Sequence, residues 1–505
     1  NRALADGDAL ESITYREDEG RAIYRRTLRF VLLLAMERLL PGCRVRMLHS
    51  VGYGEFLRVP DGELTHEQVR ALEGEMRRIV AADLPLVREE WPTEGARVYF
   101  ESHNQPDTAA LLAYRQKPVI AMYRLENYCD YLYGAMLPST GYVSAFALKP
   151  HFPGLVLLAP APEDETVPQP YQPCPKHLRV FGQSQRWCGI LGARNIADVN
   201  RMVQTGRMRE FIRVNEALHD RNLAAIADEI DRRDARVVLI FGPSSSGKTT
   251  FARRLGVHLR AVGLTPRLVS LDDFYKDRDI LPLEADGKPD LETIDALDTE
   301  LLSECVEALL GGREALMPRF NFTTATRETA RVPLRIGPRE VLLIEGIHAL
   351  NDRITREIPE ESMFGVYVSA LHCLNLDDHN RIRTTDVRLL RRIVRDARAR
   401  STSPQATIDM WPKVRAGEEK WIFPYQERAD VVFNTSLHYE LPILKAFAYD
   451  HLAAIPPDQP ESFVAHRLMK FLNYLLPVGP EVLDEIPPLS LLREFIGECA
   501  FYDRH

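Results

Sequence analysis

RVVLIFGPSSSGKTTFARRL, residues 236–255, changes character twice. Val237 to Phe241 is an unbroken apolar run of strand-forming residues, Gly242 to Gly247 is a turn of small residues, and a helix is expected from about Lys248. Gly242 to Thr249 fits the phosphate-binding loop G-x-x-x-x-G-K-[ST], in the strand-loop-helix context the motif requires. Each residue type has a physical task. The glycines permit the tight bend that turns backbone N–H groups inward. Gly242, Pro243, Ser244, Ser245, Ser246, Gly247, Lys248, Thr249 and Thr250 are thereby expected to face a polyphosphate at a helix N-terminus. Lys248 is expected to reach the β- and γ-phosphates, and the Thr249 hydroxyl to face Mg²⁺. The competing reading, a plain glycine turn in an α/β fold, does not explain Lys248 and Thr249 at these offsets.

A chain of 505 residues exceeds one hydrophobic core and reads as about three domains. Its 45% apolar and 27% charged content is that of an ordinary soluble protein, so a cytoplasmic setting is expected. The net charge of −8 gives no global reason to expect nucleic acid. Seven cysteines are scattered without a CxxC pair, which argues against a zinc knuckle or a disulfide framework. The apolar run Phe30 to Met36 is too short and too closely flanked by arginines to span a bilayer, so no membrane partner is expected.

Residues 1–16 begin without a methionine, and NRAL followed by ADGDALESI resembles the last two strands of a TGS domain, the ubiquitin-like module of threonyl-tRNA synthetases. A long amphipathic helix is expected over Arg21–Leu40, strands over Val45–Leu48 and Gly54–Arg58, and a polar helix over His66–Ala82. Residues 17–160, with a helix ending in LLPG and a later LPSTGY, resemble the second additional domain of threonyl- and alanyl-tRNA synthetases, which implies an α+β fold. That family's four metal ligands fall on Arg25, Arg29, Leu132 and Met136; a guanidinium cannot give up its proton to bind a metal and leucine has no donor atom, so a zinc site of this type is excluded. The resemblance therefore implies a retired editing fold, with Arg25, Arg29, His49, His103 and Tyr142 offered as a leftover anionic pocket. For each of the five the alternative is solvated surface or a satisfied hydrogen bond. Residues 161–234 read as a proline- and acid-rich linker and connecting helices, the last of them over Arg207–Arg232 joining the two halves.

Past the phosphate loop, strands and helices alternate, which implies a parallel sheet covered on both faces. Ligands in such folds gather at the carboxyl ends of strands. Asp272 stands at one such end, where it can accept a hydroxyl proton, hold Mg²⁺ through water, or simply cap a turn. Glu345 closes the strand Val341–Ile344 and suits a second Mg²⁺-organising acid. The run Arg388, Arg391, Arg392, Arg395, Arg398 and Arg400 reads either as a solvated face or as a lid over transferring phosphate.

GPSSSGKTT, SLDDFY, PDLETIDALD, PRFNF, VLLIEGIHAL and RLLRRIVRDARAR, in this order, resemble the uridine-cytidine kinase, phosphoribulokinase and pantothenate kinase group of P-loop kinases. The likeness covers residues 235–450, with uridine-cytidine kinase the nearest type. It implies that Asp272 is the catalytic base, with Tyr275 beside it, and that Glu292 holds ribose hydroxyls. It also implies that Phe320 and Phe322 stack on a base, and that Arg391, Arg392 and Arg395 belong to a lid. The family's base-reading histidine falls on Ala325, which leaves the base unassigned. Residues 451–505 read as a helical extension used in packing.

The expectation is thus an α/β P-loop kinase domain with a parallel sheet, fused to an α+β synthetase-like N-terminal domain. Its cofactors are ATP and Mg²⁺, the latter at Thr249, Asp272 and Glu345, and its acceptor is a uridine- or cytidine-like nucleoside. A sugar phosphate or pantothenate-like alcohol is the alternative acceptor. An RNA-associated, nucleotide-switched regulator gripping tRNA through the N-terminal region is the reading from another class. Homo-oligomerisation stays open.

Overall fold

The computed structural model describes residues 12–51, 54–60, 62–283, 287, 290–321, 324 and 326–502. Residues 1–11, which carry most of the TGS-like stretch, lie outside it, as do Phe322 and Ala325. The chain forms two compact units. The first comprises residues 1–174, 195–197 and 374–381, and the second comprises 175–194, 198–373 and 382–505. The segment expected as a linker and connecting helices over 161–234 divides between the units, with 161–174 and 195–197 in the first and 175–194 and 198–234 in the second.

The first unit is α+β. The helix Asp18–Leu39 buries Leu28, Phe30 to Met36 and Tyr24. A four-stranded antiparallel sheet (Arg46–Val51, Gly54–Arg58, Gly154–Leu158, Ala147–His151) shares that core. A three-stranded sheet with the helix Thr93–Ser102 builds a smaller one around Phe100, Ile120 and Met122. Of the residues offered as a pocket, Arg29 and His103 are engaged with neighbouring side chains. Arg29 donates through Nε to Glu55 at 2.6 Å. Burial works to raise the Glu55 carboxyl, but Arg29 overrides it and holds that group at about 2. His49 is buried beside Phe56, His103 stacks on Tyr99, Tyr142 is exposed, and Leu132 is in the core.

The second unit is built on five parallel strands: β1 (Val237–Phe241), β2 (Thr265–Ser270), β3 (Glu340–Glu345), β4 (Met363–Ser369) and β5 (Val431–Asn434). Their order is β5-β4-β1-β3-β2. Alternate side chains of a strand point to opposite faces. Val238, Ile240, Leu343 and Val366 accordingly pack with Phe251 and Leu255 of the helix Lys248–Ala261 and with Leu223, Ile226 and Ile230 of the helix Met208–Arg232. Val237, Leu239, Phe241 and Ile344 pack on the other face with Leu302, Val306 and Leu309 of the helix Thr299–Leu310. The helix Met208–Arg232, expected to join two halves, is thus a covering layer of this sheet.

From β1 the chain crosses to β2 and returns to β3 on one side before crossing to β4 on the other, which opens a crevice at the carboxyl end of β1. Register then aligns the chemistry. Glu345 pairs with Ile240 of β1 and with Ser270 of β2, so the loop after β1, the turn after β2 and the last residue of β3 meet at one edge.

Candidate active site

β1 is buried along its whole length and delivers Gly242 against β4, where an added Cβ would stand 1.9 Å from the Val368 carbonyl oxygen. Only glycine fits so close an approach. Gly247, at φ 86°, caps the helix Lys248–Ala261 in the left-handed region. The Phe251 amide is the first to find a helix partner, Gly247 O at 2.9 Å. The amides of Lys248, Thr249 and Thr250 therefore face out at the positive end of the helix. Within the loop, the buried hydroxyls of Ser245 and Ser246 find no protein partner. A cradle of outward amides and orphaned hydroxyls fits a polyphosphate.

Lys248 donates from Nζ to Pro243 O at 3.2 Å. Loss of solvation presses its pKa down, while the carboxylates of Glu345, Asp272 and Glu494 work to keep it charged. Glu345 is buried, and one of its oxygens accepts from Ser270 Oγ at 3.1 Å and from Thr249 Oγ1 at 3.3 Å. Burial and the nearby Asp272 charge push its pKa up to about 7. Among the described residues, no cluster of three or more His, Cys, Asp or Glu side chains could hold a metal. The donor set here is a hydroxyl and two carboxylates that repel each other, which fits a hard cation such as Mg²⁺ that takes its remaining ligands from phosphates and water.

Asp272 is the second residue of the short turn Leu271–Phe274 after β2 and is exposed. Its protein surroundings raise the carboxyl pKa, countered by Lys248 and by Arg400. The neighbouring Asp273 accepts from the Phe320 amide at 3.3 Å. The Tyr275 hydroxyl donates to Leu291 O at 2.9 Å, and its ring lies 5.7 Å from that of Phe320. Burial and then Glu418 push the Glu292 carboxyl up to about 7, while Arg392 and Lys248 pull it down. A residue overlooked from sequence is His348, which is buried, shares Nε2 with Glu292 O at 3.0 Å and stands edge-on to Trp421. Its place in IEGIHAL, just past the end of β3, was the available signal.

The arginine helix, Thr384–Ala399, divides its charges. Arg391 is fully buried, donating to Glu440 Oε2 at 2.7 Å and to Thr435 O at 2.9 Å. It is part of the frame, and the expectation that it touches phosphate is corrected: no face of it is open to a ligand. Arg388 is buried too, paired with Glu418 and donating to Ser244 O at 2.9 Å. Arg392 does reach the loop, donating to Ser244 Oγ at 2.8 Å. Arg395 lies against Asp396 at 2.9 Å, and Arg400 is near enough to Asp272 to lower its pKa. Lys248 and Arg392 thus touch the loop, and Lys248 and Arg400 act on Asp272. Two glutamates from outside the motifs also touch the loop: Glu418 accepts from the Ser244 amide at 3.0 Å, and Glu494 from the Thr250 amide at 3.3 Å.

Residues 237–440 match the family model described as the phosphoribulokinase / uridine kinase family. The uridine kinase of Halobacterium salinarum is 31% identical over 195 residues, covering 38% of this chain and 77% of that protein. The uridine kinase of Ligilactobacillus salivarius is 29% identical over 197 residues, 39% of this chain and 83% of that protein. Among solved structures, one described as a possible uridine kinase from Bacillus stearothermophilus is 20% identical, with a TM-score of 0.27, over 40% of this chain and 89% of that one.

Proposed function

We propose an acceptor from a plain premise: the chain belongs, through residues 237–440, to the phosphoribulokinase / uridine kinase family and is a P-loop kinase. The acceptor is a nucleoside of the uridine or cytidine type, phosphorylated by ATP on its 5′-hydroxyl to the monophosphate. One observation carries this reading. The Asp272 carboxyl stands beside Lys248 and Arg400, and Tyr275 of the same turn meets Phe320 ring to ring at 5.7 Å. A base for the hydroxyl thus lies three residues from Tyr275, whose ring meets that of Phe320 at an interplanar angle of 54°.

In this mechanism Asp272 accepts the proton of the 5′-hydroxyl as its oxygen attacks the γ-phosphorus, the bond from that phosphorus to the β,γ-bridging oxygen breaks, and ADP leaves. Lys248, Arg392 and Arg395 offset charge on the transferring group. Glu292 receives the ribose hydroxyls, and Phe320 stacks on the base. Thr249 and Glu345 would hold Mg²⁺, which when bound supplies neutralisation of the phosphate oxygens.

ATP consumption against a panel of nucleosides, sugar phosphates and pantothenate-like alcohols tests the reading. Uridine or cytidine is expected to be consumed. Asp272→Asn is expected to lower kcat by at least roughly a hundredfold, the usual worth of a general base. Phe320→Ala is expected to raise KM for the nucleoside and not for ATP. Turnover of a sugar phosphate without any nucleoside would replace the acceptor, and an Asp272→Asn enzyme that keeps most of its activity would remove the base.

A further inference from the structure

The C-terminal segment beyond the family match reaches the phosphate loop. One oxygen of Glu494, Oε2, accepts from the Thr250 amide at 3.3 Å and from the Thr250 hydroxyl at 2.6 Å. A Cβ on Gly247 would lie 4.0 Å from the same oxygen. The segment is anchored on both sides of this contact. Leu491 and Phe495 are fully buried, and the Arg391 guanidinium lies over the Phe495 ring. Arg398 donates to the carbonyl oxygens of Glu494 at 3.2 Å and Phe495 at 3.3 Å. Arg253 donates to Phe501 O at 2.6 Å, and the Tyr502 hydroxyl lies 3.1 Å from Thr250 Oγ1. The strap thus ties the phosphate-loop helix to the arginine helix, with a carboxylate at their meeting point.

Backbone N–H groups at this end of a phosphate-loop helix cradle the α- and β-phosphates of a bound nucleotide. The Thr250 amide has one hydrogen to give, and Glu494 has it. A phosphate cannot take that hydrogen while the carboxylate holds it, and two anions at one helix N-terminus repel. The Glu494 charge is also felt by its neighbours, since it works to raise the pKa values of both Lys248 and Glu345.

We infer that Glu494 is an internal competitor for the donor-phosphate cradle, setting the affinity for the donor nucleotide and coupling nucleotide entry to loss of the strap's contacts at Thr250. The inference rests on Gly242–Thr249 being the donor site. When ATP enters, its phosphate takes the Thr250 amide and hydroxyl, and the Glu494 carboxylate moves to solvent. The strap then keeps its hold through Phe495 and Arg398 but loses the contacts at Thr250. This makes Glu494 a determinant of donor affinity located outside residues 237–440.

Calorimetric titration of the full chain with ATP and Mg²⁺ tests this in wild type, Glu494→Gln and Glu494→Ala. Glu494→Gln is nearly isosteric and preserves packing, and Glu494→Ala removes the oxygen altogether. Both are expected to bind ATP roughly tenfold more tightly, the scale of one hydrogen bond to a charged group. In wild type, ATP is expected to lower hydrogen-exchange protection over residues 490–502. Unchanged or weaker ATP binding in both variants would overturn the inference, as would protection over 490–502 that stays level or rises with ATP. A Lys248→Ala control separates the two failures. If it binds ATP as wild type does, the donor-site reading itself falls; if it loses ATP while Glu494→Gln gains nothing, only the strap inference falls.

Discussion

The Glu345 carboxyl, raised from 4.5 to about 7, has a measurable consequence at the scale of a single residue. In the unfolded chain it ionises from its ordinary value, while in the folded protein it keeps its proton until about 7. Between those values the folded state binds more protons than the unfolded one, so stability falls as pH rises through this window and levels off above it. A shift of this size in a buried group corresponds to on the order of 3 kcal/mol. Glu345→Gln removes the titration. Its melting temperature is expected to fall less than that of wild type between pH 5 and pH 7.5 and to exceed it at pH 8, with kinase turnover lost. Equal slopes in calorimetric scans of the two proteins would mean that Glu345 ionises normally. Glu345 was legible in sequence as an acid ending a strand, but its pKa was not. That depends on Asp272 and on burial created by three strands meeting in register.

At the scale of elements, the strand-loop-helix of residues 237–261 was legible almost to the residue. Its signals are local: an apolar run, glycines at required bends and a helical repeat. The arginine helix was legible only as a run of charge. Which arginines turn inward is decided by Glu440 and Glu418, acids on distant elements that no spacing rule connects to it. Arg391 and Arg392 are adjacent in sequence and opposite in role, which gives a paired prediction. Arg391→Met leaves Glu440 buried without its partner and is expected to destabilise the fold by roughly 3–5 kcal/mol in denaturant titration. Arg392→Ala is expected to keep stability within about 1 kcal/mol of wild type, as for a partly exposed side chain. It lowers kcat/KM instead, through lost contact with the phosphate loop. A stable Arg391→Met enzyme with impaired turnover would return Arg391 to the lid. Glu494 was illegible for a related reason. A lone glutamate in a helical tail carries no motif, and only folding brings it to Thr250.

At the scale of the whole molecule, the least legible feature is that residues 374–381, LNLDDHNR, belong to the first unit although they lie far along the chain, between β4 and the arginine helix. Asp378 accepts from Arg46 Nε at 2.6 Å, and its backbone oxygen accepts from the Met47 amide at 2.8 Å. Asn380 bridges Tyr131 O and the Tyr133 amide, each at 2.8 Å. His379 Nδ1 lies 2.7 Å from Asp130 Oδ2; burial opposes its charge, but Asp130 prevails and lifts its pKa to about 9. Removing this loop would take His379 from the fully buried Asp130, leaving it the Tyr128 hydroxyl and the Tyr131 amide, and would leave the Tyr133 amide without the Asn380 oxygen. A fragment of residues 12–174 is therefore expected to melt well below one in which 374–381 is restored, fused through a flexible linker or added as a peptide. Because His379 is raised above its ordinary 6.5, its contribution is complete below that value and is lost as pH rises through about 9. The gap between the two fragments should accordingly narrow between pH 7 and pH 10, and His379→Ala in the restored fragment should abolish that narrowing. If the bare fragment melts at the same temperature as the restored one, the loop is a passenger in the first unit. If the gap ignores pH, the His379–Asp130 pair does not carry it.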